Sequence, residues 1–140
     1  MTDPVTALKR SLAEKGGRWT RVRERVLEAF LSERRPLTPR EVHRRTGGGM
    51  SAASVYRNIR LLKDLGLVVA VDRVGEGERF ELSDRHRDHH HHVICDRCGA
   101  VEDLDGCLLQ SLERRVRKDT RYRITRHMLN LFGLCPSCAA

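Results

Sequence analysis

No stretch of this 140-residue chain approaches the roughly 18–20 consecutive apolar residues that a membrane-spanning helix requires, so no membrane partner is expected. The first residues, MTDPVTALKRSLAEKGG, show neither an apolar core behind a basic start nor a small-residue cleavage site. A secretory leader is therefore not expected, and the expected location is the cytoplasm. There is no internal repeat beyond two C-x-x-C units, and no low-complexity tract longer than four histidines. No histidine is followed two positions later by glutamate, so the H-x-E pattern of the zinc deaminases is missing. A thioredoxin-like redox site needs its C-x-x-C at the start of a helix in a βαβ unit, a context this sequence does not offer. What remains is a chain with 39% hydrophobic residues, enough for one ordinary domain or two small ones. Two small ones need metal, dimerisation or both to stay folded.

Charge is present in excess of one sign. Lys and Arg number 27 against 19 Asp and Glu, a net charge of +8. Residues 8–66 hold 15 basic and six acidic side chains, which places the whole surplus in the first half. Most of it is arginine, whose planar fork suits phosphates and guanine edges, so a polyanion is the expected partner.

Val22, Val26 and Phe30, flanked by Leu27 and Leu31, recur at helical spacing behind Thr20, predicting a helix over about 20–33. Thr38-Pro39-Arg40-Glu41 combines an N-cap, a proline at the first helical position and a capping-box glutamate, predicting a short helix over 39–46 that ends at Gly47-Gly48-Gly49. Ser51 can cap a third helix, over 51–65, with Val55, Ile59, Leu62 and Leu65 as its core stripe and Gly66 at its end. Leu67–Val71 and Arg79–Leu82, separated by Gly75-Glu76-Gly77, read as a β-hairpin. Three helices followed by a hairpin is the order of a winged helix-turn-helix, with Ser54, Tyr56, Arg57, Asn58 and Arg60 on the exposed side of the recognition helix. The chemistry changes after Ser83–Asp88, read as a linker. Strands are then expected at about 89–94 and 100–104, a helix over 106–118, and a long strand over 122–132.

Cys95-x-x-Cys98 and Cys135-x-x-Cys138 together supply four thiolates, the shell of a closed tetrahedral zinc site. The 36 intervening residues exceed a simple ribbon, so the ion clips the chain's end back onto the start of its domain. Cys107 is left over, and reads as a small buried hydrophobe without a role. In a strand, His89-His90-His91-His92 splits into His89 with His91 on one face and His90 with His92 on the other, so that each pair can chelate its own ion. Glu81, His86, Asp103 and His127 offer further donors. Imidazole with carboxylate is a harder set than four thiolates and suits exchangeable zinc, iron(II), manganese or nickel.

These residues together resemble the ferric uptake regulator family over nearly the whole chain. The marks are Arg18-x-Thr20-x-x-Arg23, Ser54-Val55-Tyr56-Arg57, Arg79-Phe80-Glu81-Leu82, His89 to Cys98 with Gly99, His127, and Gly133-Leu134-Cys135-Pro136-x-Cys138. The resemblance implies a homodimeric, metal-responsive transcription factor, usually a repressor, on palindromic double-stranded DNA operators. It assigns Glu81, His90, His92 and Asp103 to a sensory ion and His89, His91 and His127 to an additional one. It places Ser54 in the recognition helix, Tyr56 and Arg57 at the major groove, and Arg18 at the neighbouring minor groove.

Three departures bear on the metal. The glutamate that usually completes the additional site is replaced by Gln110; the histidine that many iron and peroxide sensors bring before the second helix is absent from Arg34-Arg35-Pro36-Leu37; and no cysteine lies between Glu81 and His92, where zinc sensors often carry one. The segment 83–88 is about two residues longer than usual, leaving His86 as a substitute ligand. The expectation is an α+β protein: a winged helix-turn-helix DNA-binding domain (1–83), a hinge (84–88), and a small α/β dimerisation domain with a Cys₄ zinc (89–140), controlling metal-uptake or metal-homeostasis genes. It is expected not to be an enzyme and to have no small-molecule substrate. A peroxide sensor of the same family is the alternative, although such sensors usually carry aspartate where Glu81 stands. A zinc-dependent hydrolase would reveal itself by turnover, and a metal-storage module by failure to bind DNA under any metal condition.

Overall fold

The computed structural model describes residues 4–71, 77–83 and 89–140. The chain divides into two compact units, Met1–Asp88 and His89–Ala140. Gly75 and Glu76 of the expected turn, and the expected hinge with His86, fall outside the described residues.

The first unit runs α1 (Pro4–Glu14), α2 (Arg21–Leu31), α3 (Pro39–Arg45), α4 (Ala52–Asp64), then β1 (Val68–Val71) antiparallel to β2 (Arg79–Leu82). Each expected helix starts at its cap. Thr20 Oγ1 accepts from the Arg23 amide at 3.3 Å, and Ser51 Oγ accepts from Ser54 at 3.1 Å. At α3 the box is reciprocal: Thr38 Oγ1 accepts from Glu41 N at 3.2 Å, while Thr38 N donates to Glu41 Oε2 at 2.7 Å. Burial alone would raise the Glu41 pKa, but hydrogen bonds from Arg35 and Thr38 outweigh it and hold the carboxyl down at about 2. Gly66, at φ +68°, lets α4 close, with Gly66 N bonding Lys63 O at 2.8 Å and Leu67 N bonding Leu62 O at 2.9 Å. Phe30, Val42, Val55, Ile59 and Leu62 meet the hairpin's Val68, Phe80 and Leu82 in one core. Each such side chain contributes about 1.5–3 kcal/mol. Leu37 adds a reciprocal pair of 2.8 Å backbone hydrogen bonds to Phe80. One helix precedes those expected: α1 buries Leu8 and Leu12 completely. The result is a winged helix-turn-helix with an extra helix in front.

In the second unit, β3 (His90–Cys95) pairs antiparallel with β4 (Val101–Asp105) and parallel with β5 (Asn130–Gly133), in the order β4-β3-β5. Helix α5 (Gln110–Thr120) makes the crossover and α6 (Pro136–Ala139) ends the chain. Two expectations are corrected. The helix begins at 110, not 106, because Gly106 takes φ +85° to close β4 and the residues after it form a turn. The long strand over 122–132 shrinks to β5, because the parallel register runs only from His92 opposite Asn130 to Cys95 opposite Gly133. Among the described residues, only Ile94 and Cys95 are buried hydrophobic side chains of this unit, and α5 buries none of its residues. No helix among the described residues is long and apolar enough to cross a membrane.

Candidate metal centres and nucleic-acid surface

Parallel pairing of β3 with β5 decides where the cysteines go. Both strands end level, Cys95 opposite Gly133, so both C-x-x-C turns leave the sheet at the same end. The four sulfurs of Cys95, Cys98, Cys135 and Cys138 all lie within 4.8 Å of one another. Four thiolates at about 2.3 Å from a tetrahedral zinc stand roughly 3.8 Å apart; Cys98 and Cys135 are 3.7 Å apart. Each turn closes on its own backbone, Gly99 N to Cys95 O and Cys138 N to Cys135 O, both at 2.9 Å. Arg97 ties one turn to the other by donating to Cys138 O at 2.7 Å. Backbone N–H groups, first that of Cys98 and then that of Cys135, aim at the Cys95 sulfur and lower its pKa to about 6. Hydrogen bonding to Cys135, with burial and the other two sulfurs, raises Cys138 to about 12. The Cys138 thiol thus holds its proton until a cation displaces it, which is the chemistry of a zinc shell.

The histidines of β3 separate by face. His90 and His92 have ring centroids 4.8 Å apart, and His92 Nδ1 lies 3.2 Å from Asp103 Oδ1, directly across on β4. His92 is buried. Glu81 belongs to the first unit, buried on β2 opposite Val69. On the other face, His89 and His91 have centroids 4.7 Å apart, and His127, just ahead of β5, sits 4.5 Å from His89 and 5.2 Å from His91.

Two residues of this second cluster escaped sequence reasoning. Cys107 is half-buried, not a buried hydrophobe, with Sγ 3.4 Å from His127 Nε2. Glu113, one turn along α5 from the exposed Gln110, holds His127 Nδ1 at 2.6 Å. Helical spacing from Gln110 was the available signal for Glu113. Nothing in sequence spacing joins Cys107 to His89.

The recognition helix α4 buries Val55, Ile59 and Leu62 and exposes Tyr56, Arg57 and Arg60 on the opposite side. Ser54 is half-buried; its carbonyl accepts from Asn58 Nδ2 at 2.8 Å. Asn58 Oδ1 in turn accepts from Arg23 Nε at 3.3 Å, which ties α2 to the recognition helix. The same Arg23 donates to the carbonyl of Arg18, an exposed residue ahead of α2.

Residues 14–132 match the ferric uptake regulator family. The peroxide-responsive repressor PerR of Staphylococcus saprophyticus is 28% identical over 141 residues, covering 99% of this chain and 90% of its own. Among solved structures, the ferric uptake regulator of Vibrio cholerae is similar with a TM-score of 0.74 at 26% identity, over 91% of this chain and 99% of its own. That of Helicobacter pylori, described with three functional metal binding sites, has a TM-score of 0.78 at 23% identity, over 98% and 92%. The winged helix, the sheet that carries the cysteine and histidine clusters, and the match over 14–132 agree: the chain belongs to the ferric uptake regulator family and is a metal-dependent transcriptional regulator.

Proposed function

We propose that this regulator acts in the cytoplasm as a homodimer on palindromic operators, and that filling a sensory ion site raises its operator affinity so that it represses metal-uptake or metal-homeostasis genes. The observation that carries the reading is the placement of His90 and His92 on one face of β3, with Asp103 against His92. The family resemblance assigns Glu81 to the same ion. A preference of about 5 kcal/mol for one state suffices to switch a two-state protein. The Cys₄ zinc is structural in this account, and His89, His91 and His127 are auxiliary. The dimer is favoured by Leu108 and Leu112 around the start of α5 and by Leu131 and Phe132 of β5, all exposed in the single chain. Arg18 takes phosphates or the minor groove, and Ser54, Tyr56 and Arg57 take the major groove; the protein turns over no substrate.

The test is His90→Ala, compared with the unchanged protein for operator binding as zinc, iron(II), manganese or nickel is returned after mild chelation. The variant is expected to remain a folded dimer whose binding no longer responds to metal. A wild-type response in the variant would remove His90 from the sensory site. The PerR relative supports a second reading, response to peroxide. In that case bound iron(II) would catalyse transfer of one peroxide oxygen to a ligand histidine, the O–O bond breaking and water leaving; the added oxygen would be detected by peptide mass, and the operator released.

A further inference from the structure

We propose that Cys107 completes, with His89, His91 and His127, a thiolate–trihistidine site for a borderline-soft divalent ion, zinc above all. The inference rests on the reading of residues 89–140 as a metal-binding unit, and it is independent of what the protein does on DNA. Nε2 or Nδ1 of each imidazole and Sγ of Cys107 all lie within 4.8 Å of one another, so one ion can reach all four.

The chain arrives at this arrangement by three local choices. Strand alternation puts His89 and His91 on one face of β3. Gly106, whose φ of +85° disfavours any side chain, ends β4 and sets Cys107 in the turn before α5, with its sulfur 3.4 Å from His127 Nε2. Helix α5 then presents Glu113, whose Oε1 accepts a hydrogen bond from His127 Nδ1 at 2.6 Å. A neutral imidazole that donates from Nδ1 keeps a lone pair at Nε2, and that nitrogen faces both Cys107 Sγ and His89 Nε2, the latter 2.7 Å away. An ion held by both Nε2 atoms takes the place of this hydrogen bond, the two nitrogens parting to roughly 3.3 Å as a tetrahedral shell with zinc–nitrogen bonds of about 2.0–2.1 Å requires.

Glu113 thus acts as a positioning residue that orients a ligand from behind. The negative charge facing the ion comes from a thiolate, not from position 110, where Gln110 is neutral and exposed. Sulfur in the shell shifts selectivity toward zinc and cobalt(II) and away from manganese and iron(II), whereas His90, His92 and Asp103 on the other face offer only nitrogen and oxygen. The two faces of one strand therefore sort metals of different hardness.

Cobalt(II) tests the assignment by absorbance, because a thiolate ligand adds a near-ultraviolet sulfur-to-cobalt charge-transfer band that nitrogen and oxygen donors lack. Full-length protein that retains its Cys₄ zinc, verified by metal content, is titrated with cobalt(II). The band should grow with added cobalt, vanish in Cys107→Ser and persist in His90→Ala. Glu113→Gln should keep the band but weaken cobalt binding by about 10–100-fold. As a second readout, zinc should slow alkylation of Cys107, followed by peptide mass spectrometry. A wild-type protein that binds cobalt without the band, or a Cys107→Ser variant with an undiminished band, overturns the proposal. If the band behaves as expected but operator binding ignores every metal, the site stands and the regulatory reading fails.

Discussion

Removing one cysteine of the Cys₄ cluster should unfold the second unit and spare the first. In Cys138→Ser the shell loses one of its four thiolates, and with it the clip between the ends of β3 and β5. Structural zinc sites of this kind contribute about 10–16 kcal/mol of apparent binding free energy at neutral pH. The unit has little to set against that loss. Its buried hydrophobic side chains, among the described residues, are Ile94 and Cys95, and an aliphatic chain of that size is worth about 1.5–3 kcal/mol. The first unit is built differently, with a core cluster from four helices and the hairpin. Hydrogen exchange read by mass spectrometry separates the two outcomes within one sample. Amides of β3 should exchange at unfolded rates in Cys138→Ser or after strong chelation, while amides of α4 keep their protection. Protected β3 amides in a variant shown to hold no zinc would refute the assignment of the cluster as the unit's main support.

Zinc affinity at the same site should rise with pH from about 6, where Cys95 ionises, toward about 12, where Cys138 does, and proton release should accompany zinc uptake in weakly buffered titrations. The Glu41 carboxyl, held at about 2 in the folded chain against an ordinary 4.5, contributes stability that is complete above pH 4.5 and lost as pH falls toward 2. Glu41→Gln should therefore destabilise the first unit by about 1 kcal/mol at pH 7, with the gap to the unchanged protein closing in thermal melts at acid pH. Arg57→Ala should weaken operator binding, and Arg18→Ala should lower the slope of log affinity against log salt by about 1 if that side chain holds a phosphate. An unchanged slope for Arg18→Ala would take it off the backbone.

Local chemistry made much of this fold legible. Thr20, Thr38 and Ser51 announce three helices because each carries an oxygen that the first turn needs, and Gly66 announces an end because its φ is positive. Helix α1 was equally available in Pro4, Leu8 and Leu12, at helical spacing. Pairing was harder to read. A run such as 122–132 carries strand-like residues whether or not a neighbour exists, and β3 offers a partner only from Asn130 onward. The cysteine pairs were readable because C-x-x-C places two sulfurs together by local geometry alone. Cys107 beside His127 depends on where α5 starts, which is a tertiary outcome, and so a residue read as inert lies within reach of three imidazoles.

The most direct test of the account is the metal content per chain before and after mild chelation, paired with operator-library binding as each divalent metal is returned. One zinc that survives chelation, with a second metal restoring sequence-specific binding, is the predicted result. Sequence-specific binding that is the same with every metal and with none would contradict it.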